Sequence, residues 1–200
     1  MNKQINEAHI SLLSRAFEKD PLFVFLFSNR KNKEQPKILI RFIIRRNRLL
    51  NGLILTDDVK KPSYVAIIDR PSNLRNISIK AKIKLNIDML LLVFKLPFHT
   101  LRYLTKYQKV TSTIAPNEAH YYLTMIGVEP SYQKTGTGKK VLREIHEIAK
   151  SSQPSYTIAL DTENPQNVAY YQRLGYELRG TKMIDGLNVY CMIKPADSSH

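Results

Sequence analysis

The chain has 200 residues, of which 43% are hydrophobic and 24% are charged, and its formal net charge is +14. A chain of this length and composition suits one globular domain and is too short for two domains that each have a well-buried core. A single cysteine, Cys191, excludes an internal disulfide, and no Cys/His cluster has zinc spacing. The longest apolar run, Met89 to Phe94, is far shorter than the roughly 20 residues that span a bilayer. The N terminus lacks the apolar core of a signal peptide, so we expect a cytoplasmic protein.

The positive charge is concentrated in one half of the chain. Residues 1–115 contain 22 Lys/Arg and 8 Asp/Glu, a net charge of +14, whereas the remaining residues contain 9 of each. The basic residues cluster at 30–33, 41–48 and 80–84. Such a field attracts polyanions: nucleic acid, anionic lipid, or an acidic substrate or cofactor. A solvated helix surface is the simpler interpretation, and the sequence leaves both open.

The first half is predicted to be mainly helical. Apolar residues at helical spacing predict helices over 6–19 and 37–50, and a short helix over 22–27 follows the break at Asp20-Pro21. Next, β-branched and aromatic runs at 53–56 and 64–68 predict a hairpin. Residues 78–110 return to helical character, with a break at Pro97.

The second half alternates strands and helices. Its patterns predict a strand over 121–128, a helix over 137–150, a strand over 156–160 and a helix over 165–173. Two closing strands follow, near 176–182 and 188–193. This order predicts a mixed sheet with helices on both faces.

A glycine-containing segment, Gln-Lys-Thr-Gly-Thr-Gly at 133–138, lies between a predicted strand and a predicted helix. Alternate glycines allow a tight turn that brings successive N–H groups close to a ligand. The helix start adds unpaired N–H groups and a positive dipole end, which suit a phosphate or pyrophosphate. Lys139 and Lys140 stand where acidic residues are usual, and a bound anion would relieve that conflict. The same glycines could serve only loop packing, because neither a dinucleotide fingerprint nor a P-loop is complete.

Two segments of the second half carry recognisable motifs. Residues 126–138 contain the end of a predicted strand with Val-x-Pro, an aromatic residue and then Gln-x-x-Gly-x-Gly. Residues 164–176 contain an Asn, a Tyr seven residues later, and then x-x-Leu-Gly-aromatic. Together the two segments resemble the two signatures of the GNAT superfamily of acyl-CoA-dependent N-acetyltransferases. In the first half, Ala16-Phe17 followed by Asp20-Pro21 also resembles the opening helix of the family.

The resemblance implies a mixed α/β fold with a central, mostly antiparallel sheet, a splay between two parallel strands, and helices on both faces. It implies one acetyltransferase domain over 1–200, in which 1–115 form a variable acceptor-side half and 116–195 an acyl-CoA-binding core. The first strand of the family normally precedes the opening helix, but only five residues precede Asn6 here, so that strand is in doubt.

The resemblance also implies a set of residues at the acyl-CoA site. The end of the strand would hydrogen-bond the pantetheine and the thioester carbonyl through its backbone, and the loop would hold the pyrophosphate through its N–H groups. Asn164 would touch the cofactor or cap the helix that starts at Pro165, and capping is the stronger of the two interpretations. The implied cofactor-binding residues are Ile126, Gly127, Val128, Gln133, Lys134, Thr135, Gly136, Thr137, Gly138, Lys139, Asn164 and Tyr171.

Catalysis requires a proton donor and a proton acceptor. Tyr171 stands at the position of the general acid of the family, which protonates the departing thiolate, although packing beside neighbouring tyrosines is an alternative role. The candidates for the base are His120 and Glu118, which stand just before a predicted strand. Of the two residue types, His is the one that ordinarily titrates near neutral pH. A lone His at the start of a strand is more often structural, and a water chain could then serve as the base.

The predicted function is therefore transfer of an acetyl group from acetyl-CoA to a primary amine, with a small molecule as the expected acceptor. We expect acetyl-CoA as co-substrate, no metal, no membrane span and a monomer or homodimer. A second hypothesis is a basic module that binds nucleic acid or an acidic membrane and retains a vestigial CoA site. The sequence has no recognisable nucleic-acid-binding motif, so it does not support binding of nucleic acid in particular.

Overall fold

The computed structural model describes residues 5–27, 34–152 and 156–196. Every helix and strand predicted from the sequence is present, and the ends differ by a few residues at most. The basic cluster at 30–33 lies outside the described residues. The elements are α1 (Glu7–Ala16), α2 (Pro21–Phe27), α3 (Gln35–Leu49), β1 (Leu53–Thr56), β2 (Tyr64–Asp69), α4 (Ile79–Lys95), α5 (Phe98–Ile114), β3 (His120–Val128), α6 (Thr137–Ser152), β4 (Thr157–Thr162), α7 (Pro165–Gln172), β5 (Glu177–Ile184) and β6 (Leu187–Lys194).

Side-chain caps fix the starts of three N-terminal helices. Asn6 accepts a hydrogen bond from the N–H of Ala8 at the start of α1. Asp20 accepts from the N–H groups of Leu22 and Phe23 at the start of α2. The hydroxyl of Ser78 caps α4 in the same way. These residue types satisfy amides that the helix itself leaves unpaired. In the described part of the chain no strand precedes α1.

The six strands form one sheet in the order β1-β2-β3-β4-β6-β5. All neighbours are antiparallel except β3 and β4, which are parallel. The N-terminal helices pack on one face with a core that includes Leu12, Ile40 and Met125. Helices α6 and α7 cover the other face with a core that includes Leu123 and Leu142. The predicted fold is confirmed: a mixed, mostly antiparallel sheet with helices on both faces.

A β-bulge in β3 opens the sheet at its centre. Adjacent residues of β2 pair with Leu123 and Met125, so Thr124 is an extra residue in β3. Such an insertion bends a strand and re-aims its side chains. Leu123 accordingly contributes to the α6/α7 core and Met125 to the opposite one. The pairing of β3 with β4 ends at Leu123 and Leu160, just where the bulge occurs. Beyond this point the two parallel strands are no longer paired, which is the expected splay.

No described helix is both long and apolar enough to cross a bilayer. Within residues 5–27, 34–152 and 156–196, no group of three His, Cys, Asp or Glu side chains is arranged to hold a metal ion.

Candidate active site

The glycine loop connects β3 to α6 beside the splay. Lys134 (φ 63°) and Gly136 (φ 90°) adopt left-handed backbone conformations, for which glycine carries little steric cost. The hydroxyl of Thr135 donates to the carbonyl of Tyr132 at 2.7 Å and holds the turn closed. A Cβ placed on Gly136 would meet no described atom within 4 Å, so this side of the loop is open.

The N-terminus of α6 has the charge and the free amides that suit an anion. Its first helical bond runs from the N–H of Lys140 to the carbonyl of Gly136, so the preceding amides are not used by the helix. The first turn has no acidic residue, and Lys139 and Lys140 are exposed there. Gly138 lies close to Tyr170 of α7, because a Cβ at position 138 would lie 3.2 Å from the hydroxyl of that tyrosine. A large residue at 138 would therefore disturb α7 as well as any ligand.

The end of β3 is held against α1. A Cβ on Gly127 would lie 2.7 Å from a methyl carbon of Leu13 and 3.2 Å from Cβ of Ala16. The ion pair of Arg15 with Glu129, 2.6 Å between nitrogen and oxygen, joins the same two elements. Glycine at 127 thus allows the helix to approach the strand closely. Its missing side chain faces α1, while its backbone remains at the splayed end of β3.

Tyr171 lies on α7 and is 7% exposed. Its ring packs against those of Tyr170 and Tyr176, with centroid distances of 5.6 and 5.4 Å. Burial raises the pKa of Tyr171 well above its ordinary value, and the charges of Asp20 and Glu163 raise it further. The phenol therefore keeps its proton at neutral pH and is available as a donor. Packing and proton donation are compatible, because the ring can pack while the hydroxyl acts.

Asn164 caps α7. Its side-chain oxygen accepts from the N–H of Gln166 at 3.0 Å, and its own N–H donates to the hydroxyl oxygen of Thr162 at 3.3 Å. The capping contact favoured by the sequence is thus present. It orients the helix that carries Tyr171.

His120 and Glu118 lie at the far end of the parallel pair. Nδ1 of His120 lies 2.9 Å from the carbonyl oxygen of Glu118, a geometry in which the ring nitrogen donates. His120 pairs with Thr157, three residues before the pairing ends at Leu123. At about 3.3 Å per residue this is about 10 Å from the splay. The two residues are therefore close to each other but not close to the opening.

An acidic cluster that the sequence analysis missed lies at the C-terminal end of β4. Glu163 is 7% exposed, and its Oε1 accepts from the hydroxyl of Tyr107 at 2.6 Å. Asp161 accepts a hydrogen bond from the hydroxyl of Tyr122, and Cys191 of β6 is its neighbour across the strand pair. These residues come from β3, β4, β6 and α5. A usable signal existed, since ligands of α/β sheets bind outside the carboxyl ends of parallel strands.

Burial gives both carboxyl groups unusual proton affinities. It raises the pKa of Glu163 to about 8; the hydrogen bond from Tyr107 opposes this, and the charges of Asp20 and Asp161 add to it. Burial also raises the pKa of Asp161, and the hydrogen bond from Tyr122 opposes this rise. Glu163 therefore exchanges its proton close to neutral pH, where a general base acts best.

We expect Glu163→Gln to reduce the loss of stability with rising pH. The folded-state pKa of Glu163 lies above the unfolded value, so its contribution to stability is complete below about pH 4.3 and is lost as the pH rises through about 8. Each pH unit in that interval lowers the free energy of unfolding by up to about 1.4 kcal/mol. Urea unfolding from pH 5 to 9 measures the slope, with the exposed Glu177→Gln as control. Equal slopes in wild type and Glu163→Gln would contradict the burial of this proton.

Known proteins match both the site and the fold. Residues 105–178, which contain the loop, the splay and α7, match the family model of the acetyltransferase (GNAT) domain. A structure from Corynebacterium glutamicum, described as histone acetyltransferase HPA2 and related acetyltransferase, superposes with a TM-score of 0.66 at 19% identity, over 96% of this chain and 92% of that one. Arylalkylamine N-acetyltransferase 2 from Aedes aegypti superposes with a TM-score of 0.65 at 12% identity, over 98% of both chains.

The two kinds of similarity are independent. At these identities the structural neighbours establish the fold, and the family match establishes the acetyltransferase motifs on the elements that form the splay. Residues 105–178 therefore match the GNAT acetyltransferase domain, and the chain as a whole has the fold of these solved structures.

Proposed function

We propose that this acyltransferase moves an acetyl group from acetyl-CoA to the primary amine of a small acceptor. The observation that carries the proposal is the buried carboxyl group of Glu163, with a pKa of about 8, beside the splay and within electrostatic reach of Tyr171. A basic carboxylate and a protonated phenol at one opening are the two groups that acyl transfer to an amine requires.

The loop side of the opening suits acetyl-CoA. The amides of residues 133–139 would hold the pyrophosphate, since the loop is open at Gly136 and α6 presents its positive end there. Backbone groups of 126–128 would hydrogen-bond the pantetheine and the thioester carbonyl. One donor aimed at the developing oxyanion is worth roughly 3–4 kcal/mol of barrier. Acetyl-CoA supplies the activated acyl group, and these residues position it.

The acidic side of the opening suits an amine. Asp20, Asp161 and Glu163 lie within electrostatic range of one another in a chain whose net charge is +14. When Glu163 is ionised, its negative charge attracts an ammonium group. An ammonium must lose a proton before it can attack, and Glu163 is the group here that can take it near neutral pH. His120 and Glu118 remain candidates that must act from about 10 Å away.

The proton balance involves two protons of the ammonium. Glu163 takes the first and releases it to solvent, which leaves a neutral amine. The amine nitrogen forms a bond to the thioester carbon, the carbon–sulfur bond breaks, and Tyr171 donates its proton to the leaving sulfur. The second proton of the nitrogen then returns to the phenolate of Tyr171 through water, so that one proton is released per turnover. Residues 116–195 would thus bind and activate the thioester, while 1–115 contribute Asp20 and Tyr107 and select the acceptor.

Acetyl-CoA is expected to raise the melting temperature. A ligand that binds only the folded state stabilises it by about 2.7 kcal/mol at 100 times its Kd. Thermal-shift titration measures this, and Lys139→Glu, which reverses a charge in the first turn of α6, should weaken the effect. Lys182→Glu on β5 is the matched exposed control. A flat titration up to millimolar acetyl-CoA would remove the support for the cofactor.

An amine panel then identifies the acceptor. Release of free thiol from acetyl-CoA is measured with arylalkylamines, polyamines, aminoglycosides and lysine peptides. The first and last classes follow the names of the two structural neighbours. Acceptor-dependent thiol release supports amine acetylation. Binding of acetyl-CoA without release by any amine would leave acyl transfer to a hydroxyl or thiol as the competing function.

A further inference from the structure

Helix α4 presents a broad apolar surface to the solvent. Its members, with Phe98 at the start of α5, are between 51% and 80% exposed. We call this surface the α4 face; it comprises Ile79, Ile83, Ile87, Leu90, Phe94 and Phe98. Contiguous exposed apolar patches of this kind are uncommon on isolated soluble proteins and mark interaction sites.

The face has a consistent direction on the helix. On the opposite side Leu92 is buried, and Asp88 forms an ion pair with Arg45 of α3 at 2.5 Å between nitrogen and oxygen. At 100° per residue, the five α4 members fall within an arc of about 80°. The fold therefore attaches α4 by one side and leaves the apolar strip directed outward.

Basic residues border the strip. On the same helical projection, Lys80 and Lys84 lie beyond one edge of the strip and Lys82 beyond the other. Residues 70–117, all of which the structure describes, contain nine Lys/Arg and one acidic residue, Asp88. That carboxylate is 9% exposed and already ion-paired, so this segment carries no exposed acidic side chain.

We propose that the α4 face docks onto the surface of an anionic lipid bilayer. The apolar strip enters the boundary between headgroups and acyl chains, and the lysines contact the lipid phosphates. An apolar strip flanked by lysines is the pattern of a helix that lies in the membrane interface rather than across it.

Charge and polarity favour this occupant over two others. Two copies packed face to face would bring their lysine borders together, and like charges at close range oppose association. Nucleic acid would satisfy the lysines but would leave the apolar strip against phosphates or water. An anionic bilayer matches both the charge and the apolar strip.

Flotation of the full-length protein with lipid vesicles tests the proposal. We expect binding to vesicles of phosphatidylcholine with phosphatidylglycerol, and much weaker binding to phosphatidylcholine alone. Leu90→Ser with Phe94→Ser should lower the partition coefficient by at least about a hundredfold, because two large side chains no longer leave water. Lys82→Glu with Lys84→Glu should lower it by at least about tenfold on the anionic vesicles.

The matched control is Met183→Ser with Lys182→Glu on β5, where Met183 is 71% exposed. It makes the same kinds of change, an exposed apolar residue to Ser and a lysine to Glu, on another surface and should leave vesicle binding unchanged. Equal binding by the α4 variants and wild type would overturn the proposal, as would no binding of wild type to anionic vesicles. A dimer in light scattering that Phe94→Ser dissolves, without vesicle binding, would assign the face to a second copy instead.

Discussion

Replacing Glu163 by Gln is expected to lower kcat for acetyl transfer by about 10² to 10⁴, the usual contribution of general acid–base catalysis. Gln keeps the size of the side chain and an oxygen that can accept from Tyr107, so the fold should persist. In wild type, kcat/KM should rise with pH to a plateau above about 8, and this ionisation should disappear in the variant. The measurement is thiol release across pH with an acceptor from the panel.

His120→Gln is the matched comparison, because it removes the other candidate base. We expect it to change kcat little, since His120 lies about 10 Å from the splay along β3. The reverse result, a large loss in His120→Gln with Glu163→Gln near wild type, would transfer the base role to His120. Comparable small losses in both would indicate that water removes the proton.

Tyr171→Phe is expected to lower kcat toward the smaller end of the same range, about 10², because water can partly replace the donor. The loss should appear in kcat more than in the affinity for acetyl-CoA, since the proton is needed only as the sulfur departs. The ring should still pack against Tyr170 and Tyr176, because only the hydroxyl is removed. Steady-state rates and a thermal-shift titration separate the two effects.

Tyr176→Phe is the control for this second substitution. It also removes a hydroxyl from the same aromatic cluster, where that group lies 3.1 Å from Nε2 of His146. A loss limited to Tyr171→Phe supports the proton donor. Equal losses in both variants would point to packing of the cluster, and an unchanged kcat with chemistry as the slow step would exclude Tyr171 as the acid.

Local sequence patterns were sufficient for the elements and for half of the site. Helical spacing and the breaks at Asp20-Pro21 and Pro97 predicted the helices, because periodicity and proline breaks act within a few residues. The segments 133–138 and 164–176 predicted the family for the same reason. Each motif is contiguous, so its residues are close together whatever the rest of the chain does.

Tertiary structure alone revealed the bulge at the splay and the acidic side of the site. Thr124 becomes a bulge only when β3 pairs with β2, and no local pattern marks it. Glu163 reads in the sequence as an ordinary loop carboxylate. Its pKa of about 8 depends on burial and on the charges of Asp20 and Asp161, and its partner Tyr107 is 56 residues away.

The contrast between local sequence and tertiary packing also applies to α4 and to the choice of the general base. The sequence by itself determined that residues near 78–95 form a helix with lysines around apolar residues, and that His120 stands at the start of a strand. Whether that apolar side is covered, and which end of the strand faces the opening, was decided by the packing of distant segments. The burial and the electrostatic environment of a side chain depend on all of its neighbours in space, and those neighbours are distant in the sequence.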